Sequence, residues 1–178
     1  MTHAKLTLSA LLLLVSSLAG CVRSDKTPPN QSGLTETTKP STIRSADVVK
    51  AVAPQVDIVA GQTGEAKVNL TIQNGYHVNS NPPTYPYLKP TELEIPANEG
   101  VSVAFITYPD PLTKKFAFAE KPLAVYEGET TLRVMLKADK SARKGQRSLS
   151  AKLRIQACDE QVCYAPGMLE FSLPLDIK

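Results

Sequence analysis

The sequence is poor in residues that support catalysis by metals or by activated thiols. It has three cysteines and two histidines in 178 residues, and no two cysteines form the C-x-x-C motif of thioredoxin-like active sites. Basic and acidic side chains nearly balance, 20 against 17, and they are interspersed. No apolar run reaches the ~20 residues of a membrane-spanning helix. We therefore expect no nucleic-acid partner and no transmembrane helix in the mature chain.

The amino terminus has the features of an export signal. Residues 1–20 contain Lys5, an apolar run over 6–15 and small residues before Cys21. The sequence Leu18-Ala19-Gly20-Cys21 resembles the lipobox of bacterial lipoproteins, in which cleavage precedes a lipidated cysteine. An ordinary secretory signal that leaves Cys21 unlipidated is the alternative. We expect a lipid anchor on Cys21 and an extracytoplasmic, periplasm-facing location, and the absence of Asp at position 22 favours the outer membrane.

The next segment has the composition of a flexible tether. Residues 21–45 are rich in Thr, Ser, Pro and Lys and have few large apolar side chains, so they cannot bury enough surface to offset the entropy of ordering. The remaining length suits one domain rather than two. We therefore predict a single folded domain over residues 46–178.

Apolar and polar residues alternate along this domain with the period of β-strands. Five segments show it most clearly, at residues 65–73, 101–105, 132–136, 149–157 and 169–177, and residues 55–60 and 91–95 are further strand candidates. Gly- and Pro-containing turns separate them, and no convincing helical run follows residue 55. The pattern predicts an all-β fold, an immunoglobulin-like antiparallel β-sandwich, with a closed barrel as the alternative.

Two cysteines, Cys158 and Cys163, remain for the oxidising compartment that an export signal implies. Four intervening residues suit a hairpin that brings them within disulfide reach. The buried positions before the pair are odd-numbered, so a continued strand would place Cys158 on the outer face. The closed loop is short, and the chain-entropy model gives such a disulfide only about 2 kcal/mol.

The residues around the pair leave three functions open: a structural disulfide, redox exchange and metal binding. The loop lacks Lys, Arg and His, and its acidic residues disfavour a thiolate, so exchange would need an activated thiolate from a partner. His77 is the one histidine after the signal, and two sulfurs with one imidazole make an incomplete zinc site. We expect His77 to be a hydrogen-bonded turn or strand residue, with a catalytic base as the alternative.

Three ordered motifs resemble one known family. They read NGYHVNSNPPTYPYLKPTELEI, YPDPLTKKFAFAEKPLAVYEGE and IQACDEQVCYAP, and they look like the amino-terminal periplasmic domain of the disulfide reductase DsbD. The resemblance extends over about residues 50–177. It implies an immunoglobulin-like sandwich that takes electrons from a thioredoxin-like domain and reduces periplasmic thioredoxin-fold proteins.

The resemblance also assigns site residues. It places the redox pair on Cys158 and Cys163, with Cys163 favoured as the attacked sulfur, and a shielding cap loop on about residues 115–122. Phe118 or Phe116 would cover the sulfurs, although both could instead pack on one strand face. Tyr164 would contribute to docking, or would be an edge-strand aromatic.

The sequence thus predicts a lipid-anchored thiol-disulfide relay that needs no metal or organic cofactor. Its partners would be thioredoxin-fold redox proteins and a separate membrane protein that donates electrons, since the chain has no membrane electron channel of its own. We expect a monomer. The alternative is a non-catalytic β-sandwich lipoprotein that binds a protein partner and carries a structural disulfide.

Overall fold

A computed structural model describes residues 43–178. The predicted signal, the lipidation site Cys21 and most of the predicted tether lie outside the described residues. Within them, no helix is long and apolar enough to cross a membrane. In the part of the chain that the structure describes, the one helical element is a single 3₁₀ turn, Ser45–Val48.

Twelve strands make up the rest of the regular structure. They are β1 (Val49–Val52), β2 (Val56–Ile58), β3 (Thr63–Ile72), β4 (His77–Asn79), β5 (Glu92–Glu94), β6 (Val101–Thr107), β7 (Leu112–Lys114), β8 (Leu123–Tyr126), β9 (Glu129–Ala138), β10 (Gly145–Ile155), β11 (Ala157–Cys158) and β12 (Gly167–Ile177). The strand segments predicted by alternation are all present, so the all-β prediction is confirmed.

Two four-stranded sheets form an immunoglobulin-like β-sandwich. One has the strand order β1-β3-β9-β6 and the other β2-β12-β10-β5. Alternate residues of the long strands, such as Val68 on β3, Val134 on β9 and Leu153 on β10, are fully buried in one shared core. Every pair in these sheets is antiparallel except β2 with β12, which is parallel.

A third, smaller sheet holds the cysteines, in the order β11-β4-β8-β7. One of its faces adds Val78 and Ala157 to the main core. The other carries a second cluster of buried residues, Leu88, Phe116, Leu123 and Val125. The chain enters this sheet through the predicted turn at Gly75, whose φ of 86° is favourable for glycine and strained for other residues.

One detail of the predicted pattern is wrong. Alternation placed Val101, Val103 and Phe105 on the same buried face, but Phe105 is 56% exposed. The pairing of β6 with β9 shifts between Val103 and Phe105, and a β-bulge of this kind exchanges the two faces of a strand. After the bulge, Ile106 packs against the core instead.

Candidate functional site: the cysteine hairpin and its aromatic cover

Cys158 and Cys163 form a disulfide across a short hairpin. Their Cα atoms are 3.9 Å apart and the two residues are directly opposite in an antiparallel bridge. The Tyr164 amide donates a hydrogen bond to the Ala157 carbonyl at 2.8 Å, which closes the base of the hairpin. The hairpin predicted from the spacing is therefore present.

The two cysteines differ in exposure. Cys158 is fully buried, whereas Cys163 is only half-buried. The strand alternation predicted Cys158 on the outer face; it does lie on the side away from the main core, but it is not exposed, because the second cluster covers that face of the sheet. Attack from outside therefore has access to Cys163 first.

Asp159 organises the four-residue loop between the cysteines. Its Oδ1 accepts hydrogen bonds from the amides of Gln161 at 2.7 Å and Val162 at 2.8 Å. Its Oδ2 accepts one from the Tyr164 hydroxyl at 2.5 Å. This last bond raises the pKa of Tyr164 to about 12, and the same bond, with the two amides, lowers the pKa of Asp159. Asp159 is thus an ionised loop residue that fixes the hairpin shape.

Tyr164, predicted as a docking residue, is half-buried in this loop network. Besides its bond to Asp159, its ring lies 6.1 Å from that of Tyr76 in a tilted arrangement. It also packs partly against the main core. The contacts give Tyr164 a role in holding the hairpin, and a docking role stays a prediction.

Side chains distant in sequence hold both flanks of the hairpin. The Ser45 hydroxyl donates to the Ala165 carbonyl at 2.6 Å and accepts from the Ala157 amide at 2.9 Å. The sequence assigned Ser45 to the tether, yet it is fully buried. The folded domain therefore includes Ser45, because this buried residue is hydrogen-bonded to both flanks of the hairpin.

Gln156 holds the hairpin from the other side. Its Oε1 accepts hydrogen bonds from the Lys89 amide at 2.9 Å and the Asn79 side chain at 3.1 Å. Its Nε2 donates to the Tyr164 carbonyl at 3.2 Å. Neither Gln156 nor Ser45 was singled out from the sequence, since nothing local shows which distant backbone groups such a side chain will meet.

His77 lies directly across from Cys158 in the pairing of β4 with β11. It is fully buried, and neither ring nitrogen has a hydrogen-bond partner among the described residues. The prediction of a strand or turn residue is confirmed, but the prediction that hydrogen bonds satisfy it is wrong. The aromatic ring of Phe116 stacks on the imidazole instead, with centroids 4.1 Å apart.

Phe116 and Phe118 belong to the loop between β7 and β8, so the alternative that both pack on one strand face is wrong. Phe116 is 1% exposed and is part of the second cluster. Phe118 is 41% exposed and stacks on Phe116 at 5.3 Å between centroids. The loop thus has a buried aromatic base and a half-exposed aromatic tip.

The tip borders an open cavity of about 540 Å³ that Cys163 also lines. Tyr85 and Tyr87, whose rings stack at 5.1 Å, form another part of its wall. Val162 and Phe118 are partly exposed there. The accessible cysteine is therefore surrounded mainly by apolar and aromatic side chains.

Lys114 ties the base of the aromatic loop to the hairpin. Its Nζ is 3.0 Å from Glu160 in the cysteine loop and 3.4 Å from Glu127 after β8. The same Nζ lies 5.6 Å from the centre of the Phe116 ring. These partly exposed contacts are weak individually, and together they favour a closed arrangement of the two loops.

The chemistry available at this site is that of a disulfide in an apolar setting. Residues 43–178 contain no group of three or more His, Cys, Asp or Glu side chains placed to hold a metal ion. What the site does offer is one accessible sulfur, one buried sulfur and a buried imidazole beside it.

Comparisons with solved structures give distant similarities. The N-terminal periplasmic domain of ScsB from Proteus mirabilis is 19% identical, with a TM-score of 0.47, over 72% of this chain and 45% of that chain. The chain thus spans less than half the length of that structure. AggA, the major subunit of aggregative adherence fimbriae type I from Escherichia coli, is 9% identical with a TM-score of 0.32, over 73% of this chain and 95% of its own. No curated protein matches the chain.

A family model gives a more specific result. The model described as thiol:disulfide interchange protein DsbD, N-terminal, matches residues 46–174. That range includes all three motifs on which the resemblance rested, together with the disulfide, His77 and the aromatic loop. The chain therefore belongs to the family of DsbD N-terminal thiol:disulfide interchange domains.

Proposed function

We propose that this protein relays reducing equivalents by thiol-disulfide exchange at Cys158 and Cys163. The observation that carries the proposal is the unequal exposure of the two sulfur-bearing residues, with Cys163 lining an apolar cavity and Cys158 fully buried. A disulfide that served stability alone would have no need of an accessible sulfur in an aromatic-lined opening. Membership of the family supports the same reaction class.

In the exchange, a thiolate of the partner attacks Cys163. The partner's sulfur forms a mixed disulfide with Cys163, the Cys158–Cys163 bond breaks, and the bond's electron pair leaves on Cys158, which takes up a proton. A second partner thiol then attacks the partner sulfur of the mixed disulfide and releases Cys163. The partner is oxidised by two electrons and the Cys158–Cys163 pair is reduced by two, and the reverse sequence reduces a partner disulfide.

Activation comes from the partner in this proposal. The ionised Asp159 and the nearby Glu160 disfavour a negative sulfur in the hairpin. Partners with a thioredoxin fold supply an activated thiolate of their own. We propose such proteins as both donors and acceptors, with the donor linked to a separate membrane protein.

Phe118 is the movable cover in this proposal and Phe116 is its fixed base. Phe116 is buried in the second cluster, so displacing it would cost core packing. Phe118 is held mainly by its stack on Phe116 and by the rim of the cavity. Movement of Phe118 with its loop would open the cavity to a docking partner, while the closed loop would limit adventitious exchange.

The proposed location rests on the amino-terminal sequence, which precedes the described residues. We propose that Cys21 carries a lipid anchor and that the domain works on the periplasmic side of a bacterial membrane. Globomycin-sensitive processing and radiolabelled fatty-acid incorporation in the wild type, both lost in Cys21→Ser, would support the anchor. Unlabelled wild-type protein would refute it.

A redox titration tests the exchange function itself. The full chain carrying Cys21→Ser is equilibrated with glutathione buffers, and its free thiols are alkylated and counted by mass spectrometry. An exchange-active pair should titrate above about −300 mV, and Cys158→Ser should trap a mixed disulfide through Cys163 with a thioredoxin-fold protein. A potential well below that value with no trapped complex would leave a structural disulfide in a protein-binding lipoprotein.

A further inference from the structure

His77 is placed next to the buried member of the cysteine pair. It is the direct cross-strand partner of Cys158, and side chains in that relation lie on the same face with Cβ atoms about 4.5–5.5 Å apart. The neighbouring pair, Val78 and Ala157, points into the main core instead. His77 and Cys158 thus share the opposite, covered face of the third sheet.

Among the described residues, no group forms a hydrogen bond with the imidazole that would account for its burial. Both Nδ1 and Nε2 lack partners among residues 43–178, and a buried polar group without a partner is costly. The buried polar side chains of this region are Ser45, His77, Asn79, Ser80 and Thr91. His77 is the one of these that can exchange a proton near neutral pH.

The surroundings keep His77 neutral in the disulfide state. Burial lowers its pKa, and Lys114 at the end of β7 lowers it further. Glu127 after β8 and the loop residues Asp159 and Glu160 act in the opposite direction without reversing the shift. A neutral imidazole has a free acceptor nitrogen, which is the form needed to take a proton from a neighbouring thiol.

We propose that His77 is the general base for Cys158 in the step that resolves the mixed disulfide. This inference rests on the exchange function proposed above. Cys158 is the buried thiol that must become a nucleophile when Cys163 is joined to a partner, and within the described residues His77 is the titratable side chain paired with it. Phe116, stacked on the imidazole, holds the ring in place.

In a reduced domain that has attacked a partner disulfide, Cys163 is joined to the partner and Cys158 is a free thiol. The Cys158 thiol gives its proton to His77 and its sulfur attacks Cys163. The Cys158–Cys163 bond forms, the bond from Cys163 to the partner breaks, and the electron pair leaves on the partner's sulfur. In the reverse direction the protonated imidazole returns the proton to Cys158 as that sulfur leaves.

The reagent 5,5′-dithiobis(2-nitrobenzoate) separates this step from the first attack. With the reduced full chain carrying Cys21→Ser, attack on the reagent releases one thionitrobenzoate and leaves a second on Cys163. Resolution by Cys158 then releases the second in a concentration-independent phase. Cys158→Ala, which should release only one equivalent, assigns the two phases.

Two substitutions test the base. His77→Phe keeps an aromatic ring against Phe116, and His77→Gln keeps a polar side chain that cannot take up a proton. At pH 7 both should slow the second phase by about 10-fold or more while leaving the first phase within about 2-fold of wild type. The wild-type second phase should be nearly level from about pH 6.5 upward, because the pKa of His77 lies below its ordinary value. In the variants it should rise about tenfold per pH unit from pH 5 to 8.

The outcomes separate the two proposals. The role of His77 would be overturned if a folded His77 variant released the second thionitrobenzoate at the wild-type rate and with the wild-type pH profile. The exchange function would not be affected by that result. A wild type that releases no thionitrobenzoate would remove the exchange function, and the inference with it. A slowed second phase with an unchanged first phase supports the base, because a general loosening of the hairpin would change both.

Discussion

Phe118→Ala and Phe116→Ala should separate a movable cover from its fixed base. Phe118 is 41% exposed, so a little over half of its side chain is buried, and removing it should cost about 1 kcal/mol of closed-state stability. If that loss favours the open loop, the open population rises about 5-fold. Phe116 is fully buried, and its removal should cost about 3–5 kcal/mol of folding stability.

Alkylation of the reduced pair measures the first effect and thermal unfolding measures the second. In a Cys21→Ser background, iodoacetamide should modify Cys163 about 5-fold faster in Phe118→Ala, with a melting temperature about 4 °C lower. Phe116→Ala should melt more than about 10 °C lower. If both variants were alkylated at the wild-type rate, the assignment of this loop as a cap over the cysteines would be wrong. If both variants lowered the melting temperature equally, the distinction between Phe118 as cover and Phe116 as base would be wrong.

Three further perturbations follow from the hairpin's contacts. Ser45→Ala leaves the buried Ala157 amide without its acceptor and should lower the free energy of unfolding by about 1–3 kcal/mol in urea denaturation; no loss would contradict the Ser45 assignment. The pKa of His77 is lower in the folded chain than in the unfolded chain. As the pH falls, His77 is therefore protonated at a higher pH in the unfolded chain than in the folded chain. The free energy of unfolding should thus decrease below about pH 6.5, by at most about 1.4 kcal/mol per pH unit. His77→Phe should lack this component, which matched denaturation curves at pH 7 and pH 5.5 would measure. Asp159→Asn should lower the pKa of Tyr164 from about 12 to about 10, because the carboxylate that accepts the Tyr164 hydrogen bond is removed. The change would appear as greater phenolate absorbance at pH 11. An unchanged titration would contradict the hydrogen bond from Tyr164 to Asp159.

Alternation predicted the fold well where strands are regular and one face is buried. The residues of β10 follow it without interruption, with Leu149, Ala151, Leu153 and Ile155 all buried. It failed at Phe105, because a bulge is a property of the pairing with β9 and leaves no local mark in the sequence. Periodicity therefore predicts strands better than it predicts their irregularities.

At the site, spacing and alternation predicted the sulfur pair, whereas the covering loop at about residues 115–122 was expected only from the family resemblance. The spacing and parity correctly placed Cys158 away from the main core, yet no local pattern shows that a distant loop covers that face. The same holds for His77, whose missing hydrogen bonds depend on how Phe116 packs over it. Such features come from contacts between segments far apart in the chain, which a single sequence does not reveal.

The bonds of Ser45 also have a mechanical consequence. Its hydroxyl bridges Ala157, which directly precedes Cys158, and Ala165, which is two residues after Cys163. The chain that precedes Ser45 leads toward residue 21. A pulling force applied through that preceding segment would act first on the two Ser45 hydrogen bonds at the base of the hairpin, before it reached the long strands. Tension on the amino-terminal segment would therefore be transmitted to the hairpin that carries Cys158 and Cys163.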